Sequence, residues 1–125
     1  MIGLANILVV DDEADIRALT NRALSHEGHF VTLAEDGKQA TLLLDQNDYD
    51  LVILDIMMPN MNGPEVVKYM KSDERLRTVP ILLFSASGPI HNLADEVKEM
   101  VDDYIRKPFM RKDFILTVNK LLKTV

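Results

Sequence analysis

The chain has 125 residues, of which 47% are hydrophobic, and it carries a formal net charge of -6 and no cysteine. This length allows one domain with a single core, and the hydrophobic content is typical of a globular protein and not of a disordered one. The lack of cysteine excludes disulfides and thiolate metal sites, and a net negative surface repels the phosphates of nucleic acid. We therefore expect one cytoplasmic domain, residues 1–125, without direct nucleic-acid binding.

Two kinds of targeting segment are not expected. No apolar stretch in the sequence approaches the roughly 20 residues that a membrane-spanning helix needs. The opening residues, Met1 to Asn6, lack the basic region with which a signal peptide begins. We therefore expect no membrane association.

Strand-like and helix-like patterns alternate along the chain. Short apolar runs typical of buried strands cover Asn6–Val10, Phe30–Ala34, Leu51–Leu54, Pro80–Phe84 and Asp103–Arg106. Apolar residues at helical spacing predict helices from about Ala14 to His26, around Ala40 to Leu44, after Pro64, near Asn92 to Val101 and from about Arg111 to Leu122. This alternation predicts a doubly wound α/β domain, in which a five-stranded parallel sheet has helices on both faces.

Capping residues and apolar stripes predict the helix ends and the buried faces. Asp12 or Asp15 would cap the first helix, and Gly28 stands where that helix is expected to stop. Pro64 suits the first turn of the third helix, because the N–H that proline lacks has no partner there. Buried faces are expected at Ile16, Leu19, Ala23 and Leu24 of the first helix and at Phe114, Ile115, Val118 and Leu122 of the last.

Charged and hydroxyl side chains follow four of the predicted strands, at the point where each strand ends. They are Asp11 and Asp12 after the first strand, Asp55 after the third, Ser85 after the fourth and Lys107 after the fifth. In an open α/β sheet, ligands bind at the carboxyl ends of the strands. Carboxylates suit a divalent cation such as Mg²⁺, while an ammonium and a hydroxyl suit phosphoryl oxygens.

Each of these residues also has an ordinary structural explanation. An acid before a helix serves as a cap, Ser85 fits a cap or a turn, and Lys107 fits a surface position near a turn. Asp55 is harder to explain in this way, because a carboxylate directly after four apolar residues needs a partner once it is buried. Three aspartates at one place would also raise the pKa of at least one carboxyl group or recruit a cation. Their common position favours a single site.

The order and spacing of these residues resemble the receiver domains of two-component response regulators, including those of chemotaxis. The resemblance extends over essentially the whole sequence. The segments that carry it are Asp11-Asp12, Asp55-Ile56-Met57-Met58-Pro59-Asn60-Met61-Asn62-Gly63, Ser85-Ala86 and Lys107-Pro108-Phe109. The segment that begins at Asp55 is the most specific of them, whereas a pair of aspartates alone is a weak signal.

The resemblance implies a strand order of 2-1-3-4-5 and a phosphorylation switch. It implies that Asp55 accepts a phosphoryl group from a histidine kinase or a phosphotransfer protein, so that the domain is a phosphoacceptor and not a classical enzyme. Mg²⁺ would be held by Asp12, by Asp55 and by the backbone carbonyl of Met57, with Asp11 acting through water. Ser85 and Lys107 would hold the phosphoryl oxygens.

The resemblance also implies how the signal is read. Tyr104 matches the aromatic residue of the switch, and the Lys107–Pro108 peptide bond is expected to be cis. The readout surface would comprise the fourth helix, the fifth strand and the last helix. The recipient would be a downstream effector protein or an effector domain outside this chain, and the sequence leaves these two alternatives open.

Three other kinds of α/β domain share parts of this pattern. A phosphatase of the haloacid dehalogenase type also uses an aspartate nucleophile, but it needs Asp-x-Asp-x-Thr where this chain has Asp11-Asp12-Glu13-Ala14-Asp15. A flavodoxin-like FMN carrier needs a hydroxyl- and glycine-rich phosphate loop after the first strand, and here that loop is acidic. A receiver-like domain without phosphorylation remains open, although such a domain has no need of the acid, hydroxyl and lysine set.

Overall fold

The five strands predicted from the sequence are all present in the computed structural model, which describes residues 4–85 and 97–123. They are β1 (Asn6–Val10), β2 (Phe30–Ala34), β3 (Leu51–Asp55), β4 (Ile81–Ser85) and β5 (Asp103–Arg106). All neighbours pair in parallel, in the order β2-β1-β3-β4-β5. The predicted fold and strand order are therefore confirmed.

Four helices lie in the described part of the chain. They are α1 (Ala14–His26), α2 (Gly37–Gln46), α3 (Gly63–Lys71) and the last helix (Arg111–Lys123). Residues 92–96 of the helix predicted near residues 92–101 lie outside the described part of the chain, and in the described remainder Val97 is helical and residues 98–100 form a turn. None of the described helices has the length and the apolar character that a membrane crossing requires.

The sheet divides the core into two layers, because successive side chains of a strand point to opposite faces. Leu8 of β1 and Val52 of β3 belong to the layer under α2 and α3, while Ile7 and Ile53 belong to the layer under α1 and the last helix. All of β3 is buried, as expected of a central strand. The carboxyl ends of β1, β3, β4 and β5 lie side by side at one edge of the sheet.

The ends of α1 and α3 follow local backbone chemistry. Gly28 has a φ of +94° directly after Glu27, the C-cap residue of α1, which confirms the predicted stop. Asn62 and Glu65 form a capping box at the start of α3, and Pro64 lies in its first turn as predicted. Glu13 precedes α1 without a side-chain cap, so the prediction that Asp12 or Asp15 caps this helix was wrong.

One predicted buried position was also wrong. Leu19 is 49% exposed, and Thr20 is buried in its place, with its hydroxyl donating to the carbonyl of Ile16. This hydrogen bond within the helix allows a polar residue on the buried face. In the last helix Leu122 packs against the core as predicted, although it is only partly buried, and the neighbouring Leu121 is buried.

Candidate functional site

Four carboxylates meet at the carboxyl end of the sheet. Asp11 and Asp12 follow β1 directly, Glu13 comes next, and Asp55 is the last residue of β3. One carboxylate oxygen from each of the four lies within 4.8 Å of the others. The structure thus brings the three predicted aspartates together and adds Glu13, which the sequence reasoning missed although it directly continues the acidic pair.

Lys107 enters this acidic cluster from the end of β5. Its ammonium lies 2.7 Å from Asp11 Oδ2, 3.2 Å from Glu13 Oε1 and 3.6 Å from Asp55 Oδ1. The backbone N–H of Lys107 donates to the carbonyl of Ser85, and the Lys107–Pro108 bond is cis as predicted. The lysine side chain is only 11% exposed, so its ion pairs with Asp11 and Asp55 are largely shielded from water.

Burial differs sharply among the acids. Asp11 is fully buried and Asp55 is 5% exposed, whereas Asp12 is exposed. Burial and the charge of Asp11 raise the pKa of Asp55 to about 7, and Lys107 opposes this shift. The predicted repulsion between the aspartates does raise a pKa, but burial has the larger effect.

The pKa of Lys107 is raised above its ordinary value. Burial acts to lower it, but the hydrogen bond to Asp11 and the charges of Asp55 and Asp11 outweigh that effect. The ammonium is therefore held in its charged form by the same carboxylates that it neutralises.

Gly63 contacts the backbone of Asp55 and Ile56 at the end of β3. Its N–H donates to the carbonyl of Ile56 at 2.9 Å. A Cβ at Gly63 would lie 2.5 Å from the carbonyl oxygen of Asp55 and 2.8 Å from the Cα of Ile56. Such distances leave no room for a side chain, so glycine allows the start of α3 to contact the end of β3 and to set the position of Asp55.

The loop between β3 and α3 is also attached to α2. Asn60, with a φ of +69°, donates from Nδ2 to Asp36 Oδ2 at 3.1 Å. Asp36 caps α2 by accepting from the backbone N–H of Gln39. Gly37 packs against the carbonyl of Met61 with no space for a Cβ. The loop after Asp55 is therefore held by contacts with the start of α2 and with the start of α3.

Arg17 is a second residue that the sequence reasoning missed. Its guanidinium donates to the backbone carbonyl of Asp11 at 2.7 Å and so connects α1 to the loop that carries the acids. A basic residue in the second turn of a helix that begins beside these acids was the available signal.

The remaining predicted residues lie just after β3, at the end of β4 and on β5. Met57 follows the site with its side chain 49% exposed, and Ser85 is half-buried at the end of β4. Tyr104 is 58% exposed on β5, so its side chain faces outward and is not the partly buried aromatic that a structural role alone would suggest.

The cluster fits a hard divalent cation, because its oxygen ligands are carboxylates that already crowd one another. A cation would relieve the repulsion that raises the pKa of Asp55. The side-chain ligands available to it are Asp11, Asp12 and Asp55, with Glu13 beside them.

Replacing Asp12 by alanine is expected to stabilise the metal-free protein by about 0.5 kcal/mol, because Asp12 adds negative charge beside Asp55 and its own exposed charge is well solvated. Millimolar Mg²⁺ should raise the melting temperature of the wild type, since a ligand of the folded state stabilises it. The same Mg²⁺ should barely affect Asp12→Ala. Thermal melts in EDTA and in Mg²⁺ measure both effects. A melting temperature of the wild type that ignores Mg²⁺, together with simple destabilisation by Asp12→Ala, would rule out the metal site.

Comparison with known proteins agrees with this geometry. A family profile described as "Response regulator receiver domain" matches residues 7–119. Response regulator SaeR of Staphylococcus aureus is 37% identical over 119 residues, which cover 95% of this chain and 51% of SaeR. The chain thus spans about half the length of such curated relatives.

Solved receiver structures are similar over nearly the whole chain. The receiver domain of the Francisella response regulator 1452 has a TM-score of 0.83 at 32% identity, over 95% of this chain and 97% of that one. The chemotaxis response regulator CheY4 of Vibrio cholerae has a TM-score of 0.87 at 28% identity, over 95% and 99% of the two chains.

Proposed function

Because the chain belongs to the family of response regulator receiver domains, we propose that it is a phosphorylation-dependent signalling switch with Asp55 as its phosphoacceptor. A receiver domain is a phosphoacceptor signalling domain and not a classical enzyme. The observation that carries the proposal is the position of Asp55 at the end of the central strand, between other carboxylates and the Lys107 ammonium. The phosphatase and flavin-carrier alternatives have no support in this family.

The contacts of the three aspartates support Asp55 as the nucleophile. Asp11 is fully buried, and both of its oxygens are engaged, one by Lys107 at 2.7 Å and one by the N–H of Glu13 at 2.9 Å. Asp12 is exposed and is better suited to hold a cation. Asp55 makes the longest of the three carboxylate contacts with Lys107, at 3.6 Å, so the ammonium holds Asp55 less closely than it holds Asp11.

The proposed reaction is transfer of a phosphoryl group from a histidine imidazole to Asp55. A carboxylate oxygen of Asp55 forms the new O–P bond as the P–N bond breaks, and the leaving nitrogen retains the electron pair of that bond. Asp55 must be ionised to attack the phosphorus atom. Because its pKa is raised to about 7, nearby positive charge such as that of Lys107 increases the fraction of Asp55 that is ionised.

Lys107 and Ser85 supply the groups that hold the transferred phosphoryl oxygens in this proposal. The Lys107 ammonium already lies within 4 Å of Asp55, and the backbone contact between Lys107 and Ser85 holds the two residues side by side. Mg²⁺, held by Asp12, Asp55 and the Met57 carbonyl with Asp11 acting through water, would neutralise charge on the carboxylates and on the phosphoryl oxygens.

Phosphorylation is proposed to change the surface around Tyr104. The new group adds charge and acceptor oxygens at Asp55. A Ser85 hydroxyl that moves towards them would leave room for the exposed Tyr104 ring to turn inward. Leu83 pairs with Tyr104 and Ser85 with Arg106 in the sheet, so β4 and β5 link the two positions. The readout surface would comprise β5, the last helix and the helix predicted near residues 92–101.

The proposed partners follow from this role. A histidine kinase or a phosphotransfer protein would supply the phosphoryl group. The recipient of the signal would be a separate effector protein or an effector domain outside this chain. Residues 1–125 would form a single receiver domain, and the protein would act in the cytoplasm.

The test is incubation with acetyl phosphate and Mg²⁺, followed by intact mass and NMR. Wild type is expected to gain one phosphoryl group and to shift resonances at Ser85 and Tyr104, whereas Asp55→Asn should do neither. Asp15→Asn, which removes an exposed acid of α1, is the matched control and should be labelled like the wild type. Labelling that survives in Asp55→Asn would refute the assignment of the phosphoacceptor, and shifts confined to the acidic cluster would refute the switch.

A further inference from the structure

Glu13 contacts the site but has no part in the mechanism described above. Its Oε1 lies 3.2 Å from the Lys107 ammonium, and one of its oxygens belongs to the carboxylate cluster. Its side chain is 61% exposed, in contrast to the fully buried side chain of Asp11. The residue therefore combines a charged contact inside the site with a side chain that is largely exposed to solvent.

Lys107 is held mainly by the loop between β1 and α1. The two shortest contacts of its ammonium go to that loop, 2.7 Å to Asp11 and 3.2 Å to Glu13, and the longest, 3.6 Å, goes to Asp55. On another side the ammonium lies 5.7 Å from the centre of the buried Phe84 ring, which attracts a cation but accepts no ordinary hydrogen bond. Carboxylates thus decide where the ammonium sits.

A cation in the cluster would change these contacts. Asp11 is the closest partner of Lys107, and a divalent cation near Asp11 competes with the ammonium for the same carboxylate and repels it. A largely buried ammonium that loses its main partner must find another or leave the site. Glu13 is already in contact with it.

We propose that Glu13 is the positioning residue for Lys107. It provides the second carboxylate on which the ammonium rests when a divalent cation engages Asp11, and so it keeps Lys107 beside Asp55. This inference rests on the proposed function, in which Lys107 holds the oxygens of the phosphoryl group on Asp55. Glu13 acts through Lys107 and does not itself bind the cation.

The backbone around Glu13 is suited to this role. The N–H of Glu13 donates to Asp11 Oδ1, and its carbonyl accepts from the N–H of Arg17 at the start of α1. The main chain is therefore anchored to the site at both ends of the residue. In the proposed role the main chain of Glu13 stays in place, and its exposed side chain keeps contact with the ammonium when the ammonium shifts from Asp11 towards Glu13.

The experiment is a double-mutant cycle on Mg²⁺ affinity, with Glu13→Gln, Lys107→Gln and the double variant, measured by NMR titration of the metal-free proteins. Without Glu13, Lys107 would fall back on Asp11 and Asp55 and compete with the cation. We expect Glu13→Gln to weaken Mg²⁺ binding about threefold or more when Lys107 is present. In the Lys107→Gln background the same change should have no larger effect than Asp15→Asn, the matched loss of a nearby acidic charge.

A second readout follows the Lys107 ammonium directly. In the wild type its side-chain resonance should stay protected from solvent exchange with and without Mg²⁺, and in Glu13→Gln the protection should be lost when Mg²⁺ is added. Glu13→Asp keeps the charge but shortens the reach, so it should behave like Glu13→Gln in this readout. Backbone spectra of each variant establish that it is folded.

Three results would overturn the inference: equal losses of Mg²⁺ affinity in both backgrounds, no loss in either, or a Lys107 signal that ignores Glu13. Equal losses would mean that Glu13 acts on the cation directly. Labelling of the wild type by acetyl phosphate separates this failure from failure of the proposed function, because a labelled wild type with an inert Glu13 refutes the positioning role alone.

Discussion

Replacing Lys107 by methionine is expected to lower the free energy of unfolding by about 3 kcal/mol at pH 8 in metal-free buffer. The methionine side chain preserves most of the packing volume, but it leaves Asp11 buried beside Asp55 with no cation to neutralise them. Removing one partner of a shielded ion pair costs far more than removing an exposed charge, because the remaining charge cannot regain its hydration. Urea denaturation measures the change.

The matched control for this prediction is Lys112→Met, since Lys112 is an exposed lysine of the last helix. It should change the stability by less than about 0.5 kcal/mol. Adding Asp11→Asn to Lys107→Met should recover part of the loss, because asparagine can still accept from the N–H of Glu13 without carrying a charge. A stability of Lys107→Met equal to that of the control would show that the ion pairs contribute nothing to folding.

The metal-free wild type is expected to lose about 2 kcal/mol of stability as the pH rises from about 4 to about 7, and Asp55→Asn should not show this loss. The pKa of Asp55 is raised in the folded state, so between these pH values the folded protein binds more protons than the unfolded chain. A rise in pH then favours unfolding, until the loss is complete above pH 7. The full shift corresponds to at most about 4 kcal/mol, and screening by water at the mouth of the site reduces it to roughly half.

Urea denaturation of the wild type and of Asp55→Asn in EDTA, at half-unit pH intervals, tests this expectation. The stability of Asp55→Asn relative to the wild type should increase over the interval and stay constant above pH 7. Glu74→Gln, at an exposed position, serves as the control and should follow the wild-type profile. A constant difference between Asp55→Asn and the wild type at all pH values would show that Asp55 ionises normally in the folded protein.

The sequence by itself determined the elements and the residue types of the site. The apolar runs of Leu51–Leu54 and its counterparts predicted buried strands, since a strand buried on both faces needs apolar side chains throughout. Gly28 and Pro64 marked helix ends for reasons of backbone geometry alone. Asp11 and Asp55 were expected at the site because parallel strands end together.

Only the tertiary structure decided which charges pair. Lys107 lies nearer to Asp11 than to Asp55, and Glu13 and Arg17 join the site through contacts that strand position does not reveal. The pKa of Asp55 depends first on burial, and burial depends on the helices and loops that cover the sheet. Thr20 and not Leu19 lies on the buried face of α1, because the packing of that helix against the sheet sets its rotation. Local preferences fix where helices and strands begin and end, but distances between side chains and their access to water arise only when those elements pack.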